Sequence, residues 1–187
     1  MPVSTTPRAV RVFLAPINRP TAGEWHTISH RDPADDLRAQ MEKTREETGA
    51  RELCISDAQN LPRRFMPPLG GVPVEQIAGF VRLAEERGHE EAEAFVEVLD
   101  LIGIDPAPED WPHLFDRSHA GVQDSRTAWA ESRILDGAYY PHLFQVATER
   151  GLGYINVDRV RSDMEHDGHT TFVETADGCH LFYTNEL

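Results

Sequence analysis

Residues 74–103 read VEQIAGFVRLAEERGHEEAEAFVEVLDLIG. The apolar residues recur at the spacing of two amphipathic helices, predicted over 74–87 and 90–102 with a break at Gly88. Gly103 is the expected C-cap of the second helix. The apolar face of that helix is formed by Ala92, Phe95, Val98, Leu99 and Ile102. A helical hairpin is therefore the element from which the rest of the fold is predicted.

The second helix also carries a row of carboxylates on the side opposite its apolar face. The row consists of Glu90, Glu93, Glu97 and Asp100. It spans about 15 Å at the rise of an α-helix. One strand of DNA carries one phosphate per ~3.4 Å of axis, so the two charge densities are close. The row is consistent with a solvated helix face and with an imitation of nucleic-acid phosphates.

The residues before the hairpin predict a small α/β unit. Strands are expected over 10–15, 24–28 and 52–56, and a helix over 33–48. Asp32 is the predicted N-cap of this helix and Gly49 ends it. Residues 63–73 contain three prolines and two glycines and predict a linker or loop.

The residues after the hairpin predict helices followed by a β-hairpin. A short helical turn is expected among Pro106, Pro108 and Pro112, and helices are expected over 125–134 and 142–150. The N-cap of the helix over 125–134 is predicted at Asp124-Ser125. A further N-cap is predicted at Asn156, which begins a helix that carries Val157, Val160 and Met164. Residues 169–174 and 179–184 predict strands joined at Ala176-Asp177-Gly178. The expected fold is α+β, with three small domains in series over 1–62, 63–105 and 106–187.

The three predicted segments differ in net charge. The 187 residues contain 32 Asp plus Glu and 18 Lys plus Arg, which gives a net charge of −14. Residues 1–62 hold nine acids and eight bases, 63–105 nine and four, and 106–187 fourteen and six. Between Arg87 and Arg117 there is no Lys or Arg, and nine carboxylates occur. A field of this sign disfavours direct binding to nucleic acid and favours basic protein surfaces.

Composition excludes a membrane protein, because no apolar run approaches the ~18 residues of a membrane span. The first eight residues lack the apolar segment of a signal peptide. Two cysteines do not make a disulfide framework. We therefore expect a cytoplasmic protein with reduced thiols.

Histidines and cysteines are the candidates for metal binding or catalysis, and their surroundings argue against both. His26 and His30 are four residues apart, but they lie in a β-leaning segment where the side chains would diverge. His166 and His169 lie in a predicted turn. Cys54 and Cys179 neighbour apolar residues in the sequence and lack a basic partner that would lower a thiol pKa. The sequence also contains no phosphate-binding loop and no Gly-x-Ser-x-Gly motif. We expect no enzyme, no metal and no cofactor.

Several motifs, in order, resemble a known family. They are Arg11-Val12-Phe13-Leu14, Gly23-Glu24-Trp25, Cys54-Ile55-Ser56-Asp57 leading to Asn60-Leu61-Pro62, Asp124-Ser125 before Trp129-Ala130-Glu131, the run from Tyr154 to Asp163, Thr171-Phe172-Val173-Glu174, and Leu181-Phe182-Tyr183. The chain resembles the ArdA antirestriction proteins of plasmids, conjugative transposons and phages over about residues 10–184. It departs from them at Tyr154-Ile155-Asn156, where the family pattern has Tyr-Ile-Asp, and in the near-neutral residues 1–62.

The resemblance implies a non-enzymatic mimic of bent duplex DNA with an elongated three-domain protomer. Such a protein occupies the DNA-binding cleft of a type I restriction–modification enzyme, on its methyltransferase core, and blocks restriction, with methylation as a second candidate effect. An acidic adapter for another basic protein surface is the alternative within binding proteins. A metal- or cysteine-dependent enzyme is the alternative from another class.

The same resemblance supplies the candidate site. The mimicking carboxylates would be Glu85, Glu86, Glu90, Glu91, Glu93, Glu97, Asp100, Asp105, Glu109, Asp110, Asp116, Asp124, Glu131, Asp136, Asp158 and Asp163. The family pairs through its C-terminal region, and aromatic residues are dense there in this chain. The candidates for a homodimer interface are Tyr139, Tyr140, Leu143, Phe144 and Tyr154.

Overall fold

The computed structural model describes residues 8–66 and 71–187, and these form a mixed α+β protein. The described residues contain seven α-helices and two three-stranded antiparallel sheets. The chain divides into two compact units, 1–112 and 113–187. The predicted linker 63–73 lies partly outside the described residues, as does the N-terminal segment used to judge a signal peptide.

The first unit begins with a sheet covered by one helix. Strands β1 (Arg11–Pro16), β2 (Glu24–Thr27) and β3 (Leu53–Gln59) pair in the order β2-β1-β3. Val12 and Leu14 are fully buried, as the alternation of strand β1 requires. Helix α1 (Pro33–Thr48) buries Leu37 and ends at Gly49, whose positive φ of 67° suits glycine.

The predicted helical hairpin completes the first unit. A short 3₁₀ helix (Arg63–Phe65) precedes the hairpin. The hairpin consists of helix α2 (Val74–Arg87) and helix α3 (His89–Ile102), which pack against each other. Gly88 between the two helices has φ 119°. A side chain at Gly79 would collide with Pro108 at 2.7 Å, so glycine lets the segment carrying buried Trp111 approach helix α2. The apolar face of helix α3 is wider than predicted, because Ala94 and Val96 are also fully buried.

The second unit places helices beside the C-terminal sheet. Its elements are α4 (Trp111–Ser118, which begins in the first unit), β4 (His119–Gln123), α5 (Arg126–Asp136), α6 (Pro141–Arg150), α7 (Val157–His166), β5 (Thr170–Thr175) and β6 (Gly178–Tyr183). The sheet order is β4-β6-β5. Its apolar core is Trp129, Ala130, Met164, Phe172, Cys179 and Leu181. Strand β4 was not predicted from the sequence, since Gly121 and a register shift interrupt its alternation.

Two of the three predicted N-caps make the expected hydrogen bond. The Ser125 hydroxyl accepts from the Ala128 N–H at 3.1 Å, and the Asn156 side chain accepts from the Arg159 N–H at 3.0 Å. Asp32 occupies the N-cap position of helix α1 without a side-chain capping bond. Instead, the Asp36 carboxylate in the first turn accepts from the Ser29 N–H at 2.7 Å.

The predicted segments 1–62 and 63–105 belong to one compact unit. Helix α1 packs against helix α2, and two ion pairs, Arg38–Glu75 and Arg8–Glu90, link the segments. The α+β class is confirmed, whereas the division into three domains stays a prediction.

The capping hydrogen bonds predict that variants at the three N-cap positions differ in their free energy of unfolding. Ser125→Ala and Asn156→Ala should each lower the free energy of unfolding by about 1 kcal/mol, because each leaves one helix N–H without its acceptor. Asp32→Ala is the matched control and should cost less, since Asp32 makes no capping bond. Urea denaturation of the three variants measures the difference, and an Asp32→Ala loss equal to the other two would contradict the assignment.

Candidate functional site

The predicted carboxylates are largely on the surface. Twelve of the sixteen are exposed, and the other four, Glu90, Glu91, Glu93 and Glu131, are partly buried. An arginine of the same chain beside an exposed carboxylate reduces the charge that the carboxylate offers to a partner, by an amount worth about 0–1 kcal/mol. The ion pairs therefore rank the sixteen carboxylates.

Glu90 is not available at the start of the predicted row on helix α3. Its carboxylate lies 2.6 Å from the Arg8 guanidinium, and its side chain is only 14% exposed. Arg8 is distant in sequence, so the gap in bases between Arg87 and Arg117 does not by itself describe the surroundings of this helix. The fold therefore places beside Glu90 a base that the local sequence does not contain.

Glu93 lies on the wall of a groove of about 410 Å³, which Arg63, Arg64 and Asp100 also line. Burial raises the pKa of Glu93, and the carboxylates of Glu97 and Glu90 raise it further. Arg64 donates to the Val96 carbonyl at 3.1 Å and lies 3.6 Å from Asp105. A second arginine therefore borders the helix that lacks bases in its own sequence.

Six exposed carboxylates of the first unit have neither an ion pair nor a side-chain hydrogen bond with any described residue: Glu85, Glu86, Glu97, Asp100, Glu109 and Asp110. All six lie within 26 positions of the chain, at the end of helix α2, on helix α3 and just after it. In the second unit Asp124 is exposed in the same way. These seven are the strongest candidates for contact with a basic partner.

The acids of residues 1–62 contrast with this group because many have a neighbouring cation. Asp35 lies 2.8 Å from Arg38, Glu42 3.2 Å from Arg45, and Glu47 3.7 Å from Lys43. In the second unit three predicted carboxylates are paired in the same local way, Asp136 with Arg133, Asp158 with Arg161 and Asp163 with Arg159. Pairing at i,i+3 and i,i+4 is readable from sequence.

The predicted interface residues include several large exposed side chains. Tyr154 is 73% exposed, Tyr139 60% and Phe144 41%, whereas Tyr140 and Leu143 are partly buried. Leu135, which was not among the candidates, is 50% exposed. Helix α6 buries only Ala147. These residues fall within 20 positions of the second unit and leave apolar surface facing solvent.

The histidine and cysteine candidates have the surroundings of side chains that stabilise the fold. His26 is buried with its Nε2 3.4 Å from the Thr44 hydroxyl, and His166 bonds to Ser162 within helix α7. The described residues hold no group of three or more potential metal ligands. Both cysteines are buried and free. Burial is the larger effect and raises the pKa of the Cys179 thiol, while Arg126 lies beside it and lowers the pKa, so the expectation that Cys179 has no basic neighbour is wrong.

A buried polar network in the second unit was missed from the sequence. Asp177 lies 2.9 Å from His180 Nε2, and His180 Nδ1 lies 3.1 Å from His119 Nε2. The pKa of Asp177 is lowered by hydrogen bonds from Thr175 and His180, which outweigh its burial. In the His180 tautomer that donates Nε2–H to Asp177, Nδ1 accepts from Nε2–H of His119.

This network ties the turn of the β5–β6 hairpin to strand β4. His180 is fully buried, and the His119 ring stacks on Phe115 with centroids 4.5 Å apart. The sequence signal that could have indicated it is a histidine inside the apolar strand Cys179-His180-Leu181, since a buried polar side chain needs a partner. The identity of the partner, 61 residues away, required the fold.

Comparisons with protein-family models, with curated proteins and with solved structures find no match to this chain. No helix within 8–66 or 71–187 is long and apolar enough to cross a membrane.

The histidine network predicts a pH-dependent stability. The pKa of His119 is lowered to about 4, first by burial and then by the adjacent His180 ring. Because the unfolded ring takes up a proton near pH 6.5 and the folded ring does not, the free energy of unfolding should fall as the pH drops from 7 toward 4. The loss attributable to His119 should be roughly 1–3 kcal/mol.

Urea denaturation at pH 7, 6, 5 and 4 measures this loss. The His119→Gln variant should show a shallower dependence on pH than the parent protein. His113→Gln replaces an exposed histidine and should keep the parent's dependence. Equal slopes for the parent and His119→Gln would count against the network as the source.

Proposed function

We propose that this chain is an antirestriction protein of the ArdA type, an acidic mimic of duplex DNA that occupies the DNA-binding cleft of a type I restriction–modification enzyme. The observation that carries the proposal is the group of exposed, unpaired carboxylates between Glu85 and Asp110. The motif resemblance supplies the identity of the partner. The protein acts by binding, without turnover and without a cofactor.

The spacing of these charges suits the proposal. Glu97 and Asp100 are three residues apart on helix α3, about 4.5 Å along its axis. This rise is comparable with the ~3.4 Å of axis per phosphate on one DNA strand. A cleft that holds phosphates with arginine and lysine side chains would meet carboxylates at a similar interval.

The absence of an ion pair between these six carboxylates and any described cation also supports a binding role. A paired carboxylate must first give up its own arginine, whereas an unpaired one offers its full charge to the partner. The net charge of −14 steers the whole chain toward a basic surface. The contribution of residues 1–62 would be smaller, because they are nearly neutral and locally paired.

The proposed assembly is a homodimer of elongated, three-domain protomers joined through their C-terminal regions, in the cytoplasm of a cell that carries the restriction system. The exposed side chains of Leu135, Tyr139, Phe144 and Tyr154 support this interface, because clustered apolar surface of this kind marks association sites. A dimer would present the carboxylates of two protomers to one enzyme and lengthen the negative surface.

Inhibition of a purified type I methyltransferase core tests the proposal directly. Inhibition should be stoichiometric, should be relieved by excess duplex DNA, and should weaken on the order of 10- to 1,000-fold between 50 and 200 mM salt. Inhibition at a small fraction of the enzyme concentration would instead indicate turnover. Absence of inhibition at a twofold excess would contradict the proposed partner.

A matched pair of variants tests which carboxylates carry the binding. The first changes Glu85, Glu97, Asp100 and Glu109 to the corresponding amides, and the second does the same to Glu24, Asp35, Glu42 and Glu47. Each variant removes four exposed charges, but every member of the second set has a nearby cation. The first variant should bind the methyltransferase about 5- to 150-fold more weakly, or about 1–3 kcal/mol.

The second variant should change affinity much less than the first. Isothermal titration calorimetry with the methyltransferase core compares the two. Circular dichroism checks that both variants keep their helix content. A larger loss from the second set would show that unpaired charge is not what selects the binding surface.

A further inference from the structure

A small cavity in the second unit has no assigned role. It has a volume of about 130 Å³ and lies among helices α5 and α7 and the segment between α5 and α6. Its walls include Trp129, Arg133, Tyr139, Tyr140, Met164 and Asp167. The space is open to solvent on one side, and its volume is similar to that of an apolar cavity of about 150 Å³ that holds one benzene molecule, so a single aromatic ring can enter it.

The side chains around the cavity favour a flat, neutral group with a hydroxyl. The Arg133 guanidinium lies 4.8 Å from the Tyr139 ring centroid and donates to the Tyr183 hydroxyl at 2.5 Å, which fixes it as one planar wall. Asp167 supplies a carboxylate. Because a cation and an anion both border the space, an ionic ligand of either sign would meet repulsion as well as attraction, and a phenol would not.

The pKa of Tyr140 is consistent with these surroundings. It is raised first by burial and then by the carboxylates of Asp167 and Asp163. The wall is therefore partly desolvated at Tyr140, whereas the Asp167 carboxylate is exposed and free to accept from an entering hydroxyl.

Tyr154 of the same unit is a phenol whose side chain is largely exposed to solvent. At 73% it is the most exposed of the large hydrophobic side chains in the described residues. A 3₁₀ helix, Leu152–Tyr154, presents it, and the Tyr154 N–H donates to the Gly151 carbonyl at 3.2 Å. A tyrosine held on a short fixed turn is the kind of side chain that anchors protein interfaces.

Charge limits what can join two copies of this unit. Residues 113–187 contain twelve acids and six bases, a net charge of −6. Two such units repel each other, so the contact between them needs neutral anchors. A tyrosine that enters an aromatic cavity adds no charge and removes exposed apolar surface.

We propose that the cavity between helices α5 and α7 receives the Tyr154 side chain of a second copy of this chain, reciprocally about a two-fold axis. The inference rests on the dimer of the proposed function and names its anchor. The two insertions are equivalent by symmetry, as in any isologous interface. The Tyr154 ring lies against Tyr139 and Met164, and its hydroxyl faces Asp167.

Cross-linking between two differently tagged variants tests the pairing. Tyr154→Cys and Asp167→Cys are prepared separately, mixed and mildly oxidised, and the native cysteines are buried. A disulfide-linked mixed dimer should form at least tenfold more than from Tyr154→Cys mixed with Asp124→Cys, whose exposed position lies outside the cavity lining. Equal yields from the two mixtures would overturn the inference.

Sedimentation equilibrium supplies a second measurement that does not depend on oxidation. Tyr154→Ala should weaken the dimer at least tenfold, and Tyr154→Phe should weaken it measurably but less, because the ring is retained and only the hydrogen bond to Asp167 is lost. An unchanged dimer in Tyr154→Ala, or a monomeric parent protein at micromolar concentration, would overturn the inference.

The methyltransferase assay separates this inference from the proposed function. A parent protein that dimerises through Tyr154 but does not inhibit the enzyme would refute the antirestriction role and leave the anchor standing. A parent protein that inhibits while Tyr154→Ala remains dimeric would refute the anchor and leave the role standing.

Discussion

The numbers of acidic and basic side chains constrain everything else in this protein. Eighteen cations cannot neutralise thirty-two carboxylates, so fourteen negative charges remain whatever the fold. Solvent screening makes exposed charges tolerable, but burial without a partner would cost several kcal/mol per ion. The fold therefore has to keep the surplus carboxylates at the surface, and it does so for most of those on helices α2 and α3.

The positions of the arginines determine where unpaired carboxylates appear on the surface. Residues 1–62 are close to neutral because they hold nine acids and eight bases, and three of those cations pair with carboxylates three or four positions away. Around helix α3, Arg8 and Arg64, which are distant in sequence, each pair with one carboxylate at an end of the segment. Arg63 lines the same groove as Glu93 and Asp100. The middle of the helix, at Glu97 and Asp100, is left unpaired. This distribution connects the composition of the chain with the surface proposed to bind a basic cleft.

The same surplus restricts how the protein can associate with itself. Like-charged units approach only if apolar burial offsets their repulsion, and the second unit exposes Leu135, Tyr139, Phe144 and Tyr154. Trp129, Ile134 and Phe172 of the same unit are buried. The exposed side chains therefore add apolar surface beyond that of the core.

Local signals in the sequence determined the helices and their ends. Helix α1 (Pro33–Thr48) and helix α2 (Val74–Arg87) have the predicted bounds, because proline or proline-adjacent starts and glycine ends are set within a few residues. Ser125 and Asn156 cap as expected for the same reason. The C-terminal hairpin follows from its alternation and its Gly-containing turn.

Only the tertiary structure decided which distant groups meet. Three contacting pairs are separated by 41 to 82 positions in the sequence: Arg8 with Glu90, Arg64 with Asp105, and His119 with His180. No local sequence pattern encodes such pairs. Strand β4 depends on its partner β6, since its own residues lack a clear alternation. The sequence by itself therefore determined how much negative charge the protein carries and on which helices. The fold decided which of those charges face solvent without a partner, because neutralisation depends on distance in space.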